Sequence, residues 1–189
     1  MLSKQITVMR RQFSMALSLS LCICVLAAAS IAQNAPPMPK IEGDSISGHK
    51  VVLPDASHGK VAVLIFGFTK ASKGPTSAWA DKIDSDFRSR PGFELYQLPV
   101  LEDVPRFIRG MVISSMKKSI RENMRDHFVP VLQNETELKK LVNYKEADDA
   151  YLVLLNPIGQ VVGQRHGGLD QAAYAELRSE IQSLLDHPK

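Results

Sequence analysis

Val61 to Phe68 reads VAVLIFGF, eight residues without a polar side chain, with β-branched Val61, Val63 and Ile65 among them. A short apolar run of this kind is a strand, and its lack of alternation leaves neither face for water. Such a strand needs packed layers on both sides. The chain must therefore supply helices to two faces of one sheet, which fixes its class before any motif is considered.

The remaining segments fit that demand. Lys50–Leu53 is a short strand followed by the turn PDASHG, and Pro75 opens a helix to about Arg88 that Arg90-Pro91-Gly92 ends. Phe93–Val100 (FELYQLPV) is a second central strand. The spacing predicts a long helix from Val104 to about Asp126, with Gly110 as its weak point, and a strand over Phe128–Leu132. Asn134 with Glu137 is expected to cap a short helix through Val142. Tyr151–Leu155, the turn Asn156-Pro157-Ile158-Gly159 and Gln160–Gln164 form a hairpin. Asp170 caps a last helix to Leu185, with Leu169, Ala173, Leu177, Ile181 and Leu184 on one face. The expected architecture is an α/β three-layer sandwich: a mixed central sheet with helices on both faces.

Charge divides the chain unevenly. It has 189 residues, 23 Lys+Arg and 20 Asp+Glu, yet Lys4, Arg10 and Arg11 are the only charges before Lys40. Phe13 to Ala32 is apolar or small throughout, so residues 1–32 read as an export signal cut after Ala32 or after Ala29. Arg10-Arg11-Gln12-Phe13 is similar to a twin-arginine signal, although Ser14-Met15 departs from its usual ending. An uncut membrane anchor and a mitochondrial presequence are the other readings. The expected location is thus periplasmic or extracellular. Residues 33–45 follow as a Pro-rich linker, with 46–189 as one domain. The part after residue 32 holds 20 bases and 20 acids, which makes nucleic acid a poor partner. Cys22 and Cys24 both lie in the apolar run, so the domain itself has no thiolate for disulfide exchange or peroxide reduction.

Two stretches carry a resemblance. SISGHKVVLPDASHGKVAVLIFGFTKASKGPTSAW resembles the entry region of exported thioredoxin-like proteins, and AYLVLLNPIGQVVGQRHGG is similar to that clan's closing hairpin. The likeness covers Ile46 to Leu185 and implies a thioredoxin-like fold. In the clan, which includes peroxiredoxin-like and copper-delivering Sco-type branches, this loop carries a Cys-x-x-Cys pair. Aligned on Gly74-Pro75, the cysteines fall at Lys73 and Thr76; aligned on FGFT, they fall near Ala71 and Gly74. Neither register has a thiol. Asp148-Asp149-Ala150-Tyr151 stands where the Sco-type branch has its ligand His, and Ala150 falls near the clan's proline. Among cysteine-free relatives, ELYQLPVLE, RFIRGMVISSMKKSIRENMRD and DDAYLVLLNPIGQVV resemble the thioredoxin-like assembly factors of mitochondrial ATP synthase and their bacterial counterparts. That likeness implies a chaperone of a membrane complex, without turnover.

Two candidate surfaces follow. The first is the loop Lys70, Ala71, Ser72, Lys73, Gly74, Pro75 and Thr76, at a strand end and a helix start. Backbone N–H groups and two lysines there suit an anion or a partner, although no Gly-x-x-x-x-Gly-Lys-Ser/Thr motif is present. The second is the basic stretch 105–125, with Arg106, Arg109, Lys117, Lys118, Arg121 and Arg125 against the single acid Glu122. It is either a docking face for an anionic membrane or an acidic partner helix, or a packed helix with a solvated basic side. Met111, Met116 and Met124 are expected to fill core, as is Trp79.

Other residues offer less. No two of His49, His58, His127, His166 and His187 have metal-ligand spacing, so no metal or cofactor is assigned. His166 is the best lone acid–base candidate, Ser72 and Ser77 lack an elbow motif, and Asp148-Asp149 is a hard-cation candidate. Asn134-Glu135-Thr136 is a glycosylation sequon that matters only on a eukaryotic secretory route. The expected function is a redox-inactive binding or assembly module, possessing no catalytic residue. A thiol-redox or peroxidatic enzyme and a small-anion binder are the alternatives.

Overall fold

The computed structural model describes residues 38–187. The expected export signal, with Cys22 and Cys24, and the first residues of the expected linker lie outside the described residues. The elements are β1 (Ile41–Asp44), β2 (Lys50–Leu53), β3 (Val61–Gly67), α1 (Lys73–Phe87), β4 (Phe93–Pro99), α2 (Arg106–Ser119), α3 (Glu135–Leu141), β5 (Ala150–Leu155), β6 (Val161–Gly167) and α4 (Gln171–Asp186).

The central sheet has the order β4-β3-β5-β6. β3 runs parallel to β4 and antiparallel to β5, and β5 pairs antiparallel with β6. Alternation along β3 then does what the sequence requires. Ala62, Leu64 and Phe66 pack with Leu53, Leu138, Tyr151 and Val153 on the face covered by α3 and the β1-β2 hairpin. Val61, Val63 and Ile65 pack on the opposite face, with Trp79, Ile83 and Phe87 of α1 and with Tyr174, Leu177 and Ile181 of α4. The mixed three-layer sandwich is the observed fold.

Several boundaries differ from the expectation, each for a tertiary reason. Residues 33–45 were expected to be linker, but Ile41–Asp44 is a strand paired with β2, Ile41 opposite Leu53. Ile41 and Ile46 are buried, so the hairpin belongs to the core. The long helix from Val104 to Asp126 is shorter: it ends at Ser119, Ile120 is extended, and Glu122–His127 continues as a 3-10 turn. The break is not at Gly110. Arg121 reaches Asp81 of α1 at 2.7 Å, and Met124 is buried against α1, so the chain must bend back at Ile120.

Phe128–Leu132 makes isolated parallel bridges to Gln97 and Val100, interrupted by Pro130, which has no N–H to donate. Asn134 precedes α3 as expected, but its left-handed backbone (φ 66°) leaves its side chain unable to cap. The Glu102 carboxylate takes that place, accepting from the Glu135 N–H at 2.6 Å. Asp170 caps α4 as expected, accepting from Ala172 and Ala173 N–H. Leu169 is exposed, and Tyr174 fills the face instead, donating its hydroxyl to Asp86 at 2.6 Å.

Glu94 shows how the sheet holds a charge. Burial alone would raise its pKa, but donors from His127, Lys60 and Tyr96 outweigh it and hold the carboxyl at about 2. Burial, followed by the hydrogen bond it donates to Glu94, pushes the Tyr96 hydroxyl well above its ordinary range.

Two outcomes follow. Leu64→Ala, made where both neighbours are packed, is expected to cost about 2–5 kcal/mol in urea unfolding. Glu94 has a depressed folded-state pKa, so its contribution is complete above 4.5 and is lost as pH falls toward about 2. Urea-unfolding curves across that window should lose stability in the wild type and lose less in Glu94→Gln.

Candidate functional site

The loop at the end of β3 is tightly folded on itself. The Thr69 hydroxyl accepts from the N–H of Ala71 at 3.2 Å and of Ser72 at 3.3 Å, and donates to the Ala147 carbonyl at 2.9 Å. The Ser72 hydroxyl donates to Thr69 O at 2.8 Å, and that of Thr76 to Lys73 O at 3.1 Å. A Cβ on Gly67 would meet Ser72 Oγ at 2.7 Å, so glycine lets the loop close over the strand end. Ser72 is buried and holds no free nucleophile outward. Lys70, Ala71, Lys73 and Gly74 are exposed, with Pro75 and Thr76 half-buried. Neither lysine has an ion-pair partner among the described residues. The predicted loop residues therefore stay together, as a polar knuckle with two outward cations.

The Thr69 bond joins this knuckle to the segment before β5, where a second arrangement lies. His166 Nδ1 is 2.7 Å from Asp149 Oδ2, and its ring stacks on Tyr151 at 5.5 Å between centroids. The Tyr151 hydroxyl is itself engaged, accepting from Lys145 and Glu146 N–H and donating to Glu146 O at 2.9 Å. His166 and Asp149 were separate candidates in the sequence, 17 residues apart. Strand pairing of Tyr151 with His166 brings them together, a signal visible only once the hairpin register is known. Trp79 is buried as expected, its indole N–H donating to Gly167 O at 3.1 Å.

The basic stretch separates into two groups. Arg121 pairs with Asp81 and lies 3.4 Å from Asp84, a buried acid also held by Arg88. Arg109 folds back on the entry to its own helix, donating to Val104 O at 2.6 Å and to Glu102 O. Arg125 donates to Ile120 O at 3.4 Å. Arg106, Lys117 and Lys118 remain exposed, without an ion pair among the described residues.

No residue of α2 is buried. Ile108, Val112 and Met116 are half-buried toward the body, whereas Phe107 is 88% and Met111 75% exposed. Met111 is therefore not core filling, although Met124 is. At 100° per residue, Phe107, Met111, Ser114 and Lys118 form one outward stripe. Apolar and cationic groups share a face that no other described residue covers. Among the described residues, no helix is long and apolar enough to cross a membrane, and no group of three His, Cys, Asp or Glu is placed to hold a metal.

No family model matches the chain, and no curated protein does. Solved structures do. A Chlorobium tepidum protein described as thiol:disulfide interchange protein DsbE superposes with TM-score 0.57 at 18% identity, covering 81% of this chain and 98% of that one. BsSco, of the Sco family of cytochrome c oxidase assembly proteins, gives TM-score 0.57 at 13% identity, over 80% and 94%. The exposed lipoprotein thioredoxin Etrx1 of Streptococcus pneumoniae gives 0.52 at 13%, over 75% and 99%. The strand order, the closing antiparallel hairpin and these superpositions agree: the chain has a thioredoxin-like fold.

Proposed function

We propose that this chain is an exported, redox-inactive thioredoxin-like module that works by binding, with α2 as its docking element on an acidic surface of a membrane complex. The observation that carries the reading is the outward stripe of α2. Exposed Phe107 and Met111 beside Lys118, with Lys117 flanking, offer an apolar anchor and positive charge on one helix face. That combination suits an acidic partner helix or an anionic membrane surface. Large apolar side chains clustered in solvent are uncommon unless a partner covers them. The redox-inactive part rests on the loop, where Ala71, Lys73, Gly74 and Thr76 occupy the two cysteine registers.

The structural neighbours favour a second reading, a thiol-disulfide oxidoreductase by descent. It requires a thiol at the end of β3, and the nearest cysteine in sequence is Cys24, far before β1. A small-anion site at Lys70 and Lys73 is the third.

Photo-crosslinking in cells tests the first reading. A reactive group placed at Phe107 or Met111 is expected to give adducts with membrane-fraction protein or lipid, and one at exposed Glu176 of α4 to give none. Glu at both Lys117 and Lys118 should reduce the yield about tenfold, equivalent to roughly 1.4 kcal/mol. Equal yields at Phe107 and Glu176, or turnover of insulin disulfides or peroxide by the purified chain, would overturn it.

A further inference from the structure

Gln97 stands out in β4. Its neighbours Tyr96 and Leu98 belong to the core face under the β1-β2 hairpin, and Leu95 to the face under α1. Alternation therefore turns Gln97 toward α1, onto an otherwise apolar face. Its backbone carbonyl accepts from Val129 N–H at 2.9 Å. The residue is only 8% exposed; its side-chain amide takes no partner from the described residues and keeps its polar atoms in reach of solvent instead. A carboxamide on this otherwise apolar face is accommodated because its polar end opens into a wet space instead of packing against hydrocarbon.

The amide opens into a cavity of about 300 Å³ between α1 and the bend after α2. That volume lies at the lower end of the ~300–1,000 Å³ common for small-molecule sites. Ser77 and Asp81 line it from α1, and Ile120, Arg121 and Met124 from the bend. The site is built by the same contact that breaks the predicted long helix.

The geometry points to a binding site for a neutral, hydroxyl-rich molecule of monosaccharide size. Asp81 and Arg121 pair at 2.7 Å, so their charges cancel and the cavity offers no net attraction to an ion. What remains is a carboxamide able to donate and accept, the Ser77 hydroxyl, the second Asp81 oxygen as acceptor and the other guanidinium N–H groups as donors. Adjacent hydroxyls satisfy that mixture, since each both donates and accepts. Ile120 and Met124 supply an apolar floor, which suits the C–H face of a sugar ring.

The test is a titration of the isotope-labelled full-length chain with glucose and with N-acetylglucosamine, following the Gln97 side-chain amide resonances together with the backbone amides of Ser77 and Met124, which report on the cavity in Gln97→Leu as well. Glutamate and sulfate are the charged controls. Either sugar is expected to shift those resonances saturably by about 10 mM, the controls to leave them unmoved, and Gln97→Leu to weaken binding at least about tenfold. Thermal unfolding of Gln97→Leu should be unchanged or higher. Ser77→Ala, on the cavity wall, should weaken binding about threefold with the fold intact, and it carries the test if Gln97→Leu fails to fold. Absence of a saturable shift with both sugars, undiminished sugar binding in both variants, or tighter binding of glutamate or sulfate would each overturn the assignment.

Discussion

Burial of β3 on both faces is the constraint from which the rest follows. With neither side wet, every inward side chain of the strand must meet a packed partner, so its two neighbours and the layers above and below are committed at once. Parallel pairing with β4 demands a crossover, and α1 is that crossover. Antiparallel pairing with β5 permits the tight hairpin to β6 and the return of α4 to the α1 side. The knuckle at residues 69–76 sits where it does because the strand ends there and the crossover begins.

The chain's own chemistry was legible wherever it is local. The apolar run, the Asp170 cap and the hairpin turn are written in neighbouring residues, and the observed elements agree with them. What escaped was set by contacts across the fold. Ile120 has good helical neighbours on both sides, so nothing local announces a break. It is Asp81 and Asp84, some 40 residues earlier, that draw Arg121 inward and end the helix. The strand at Ile41 lies next to a proline-rich stretch and gains its reason only from Leu53 opposite. The capping box at Asn134 failed because a left-handed backbone turned its side chain away, and the replacement came from Glu102.

The same distinction applies to the candidate surfaces. The six bases of residues 105–125 were visible as a cluster, but three of them are occupied by acids or carbonyls. The exposure of Met111 was the opposite of what its apolar character implies, because composition does not specify which side of a helix anything covers. The pairing of His166 with Asp149 and the opening of Gln97 into a cavity depend on strand register and sheet face, which composition does not encode.

The position of β6 has a consequence for crowding. Residues 128–131 shield the outer side of β4, leaving β6 as the open margin of the sheet among the described residues. An unpaired strand can template a second copy and grow into a fibre. This one is ill suited to that role. Its register slips near Leu154 and Leu155 of β5, and Arg165 and His166 along it are tied to Glu180 and Asp149. Charged side chains and an irregular register on a margin strand are among the devices that discourage a second copy from pairing with it.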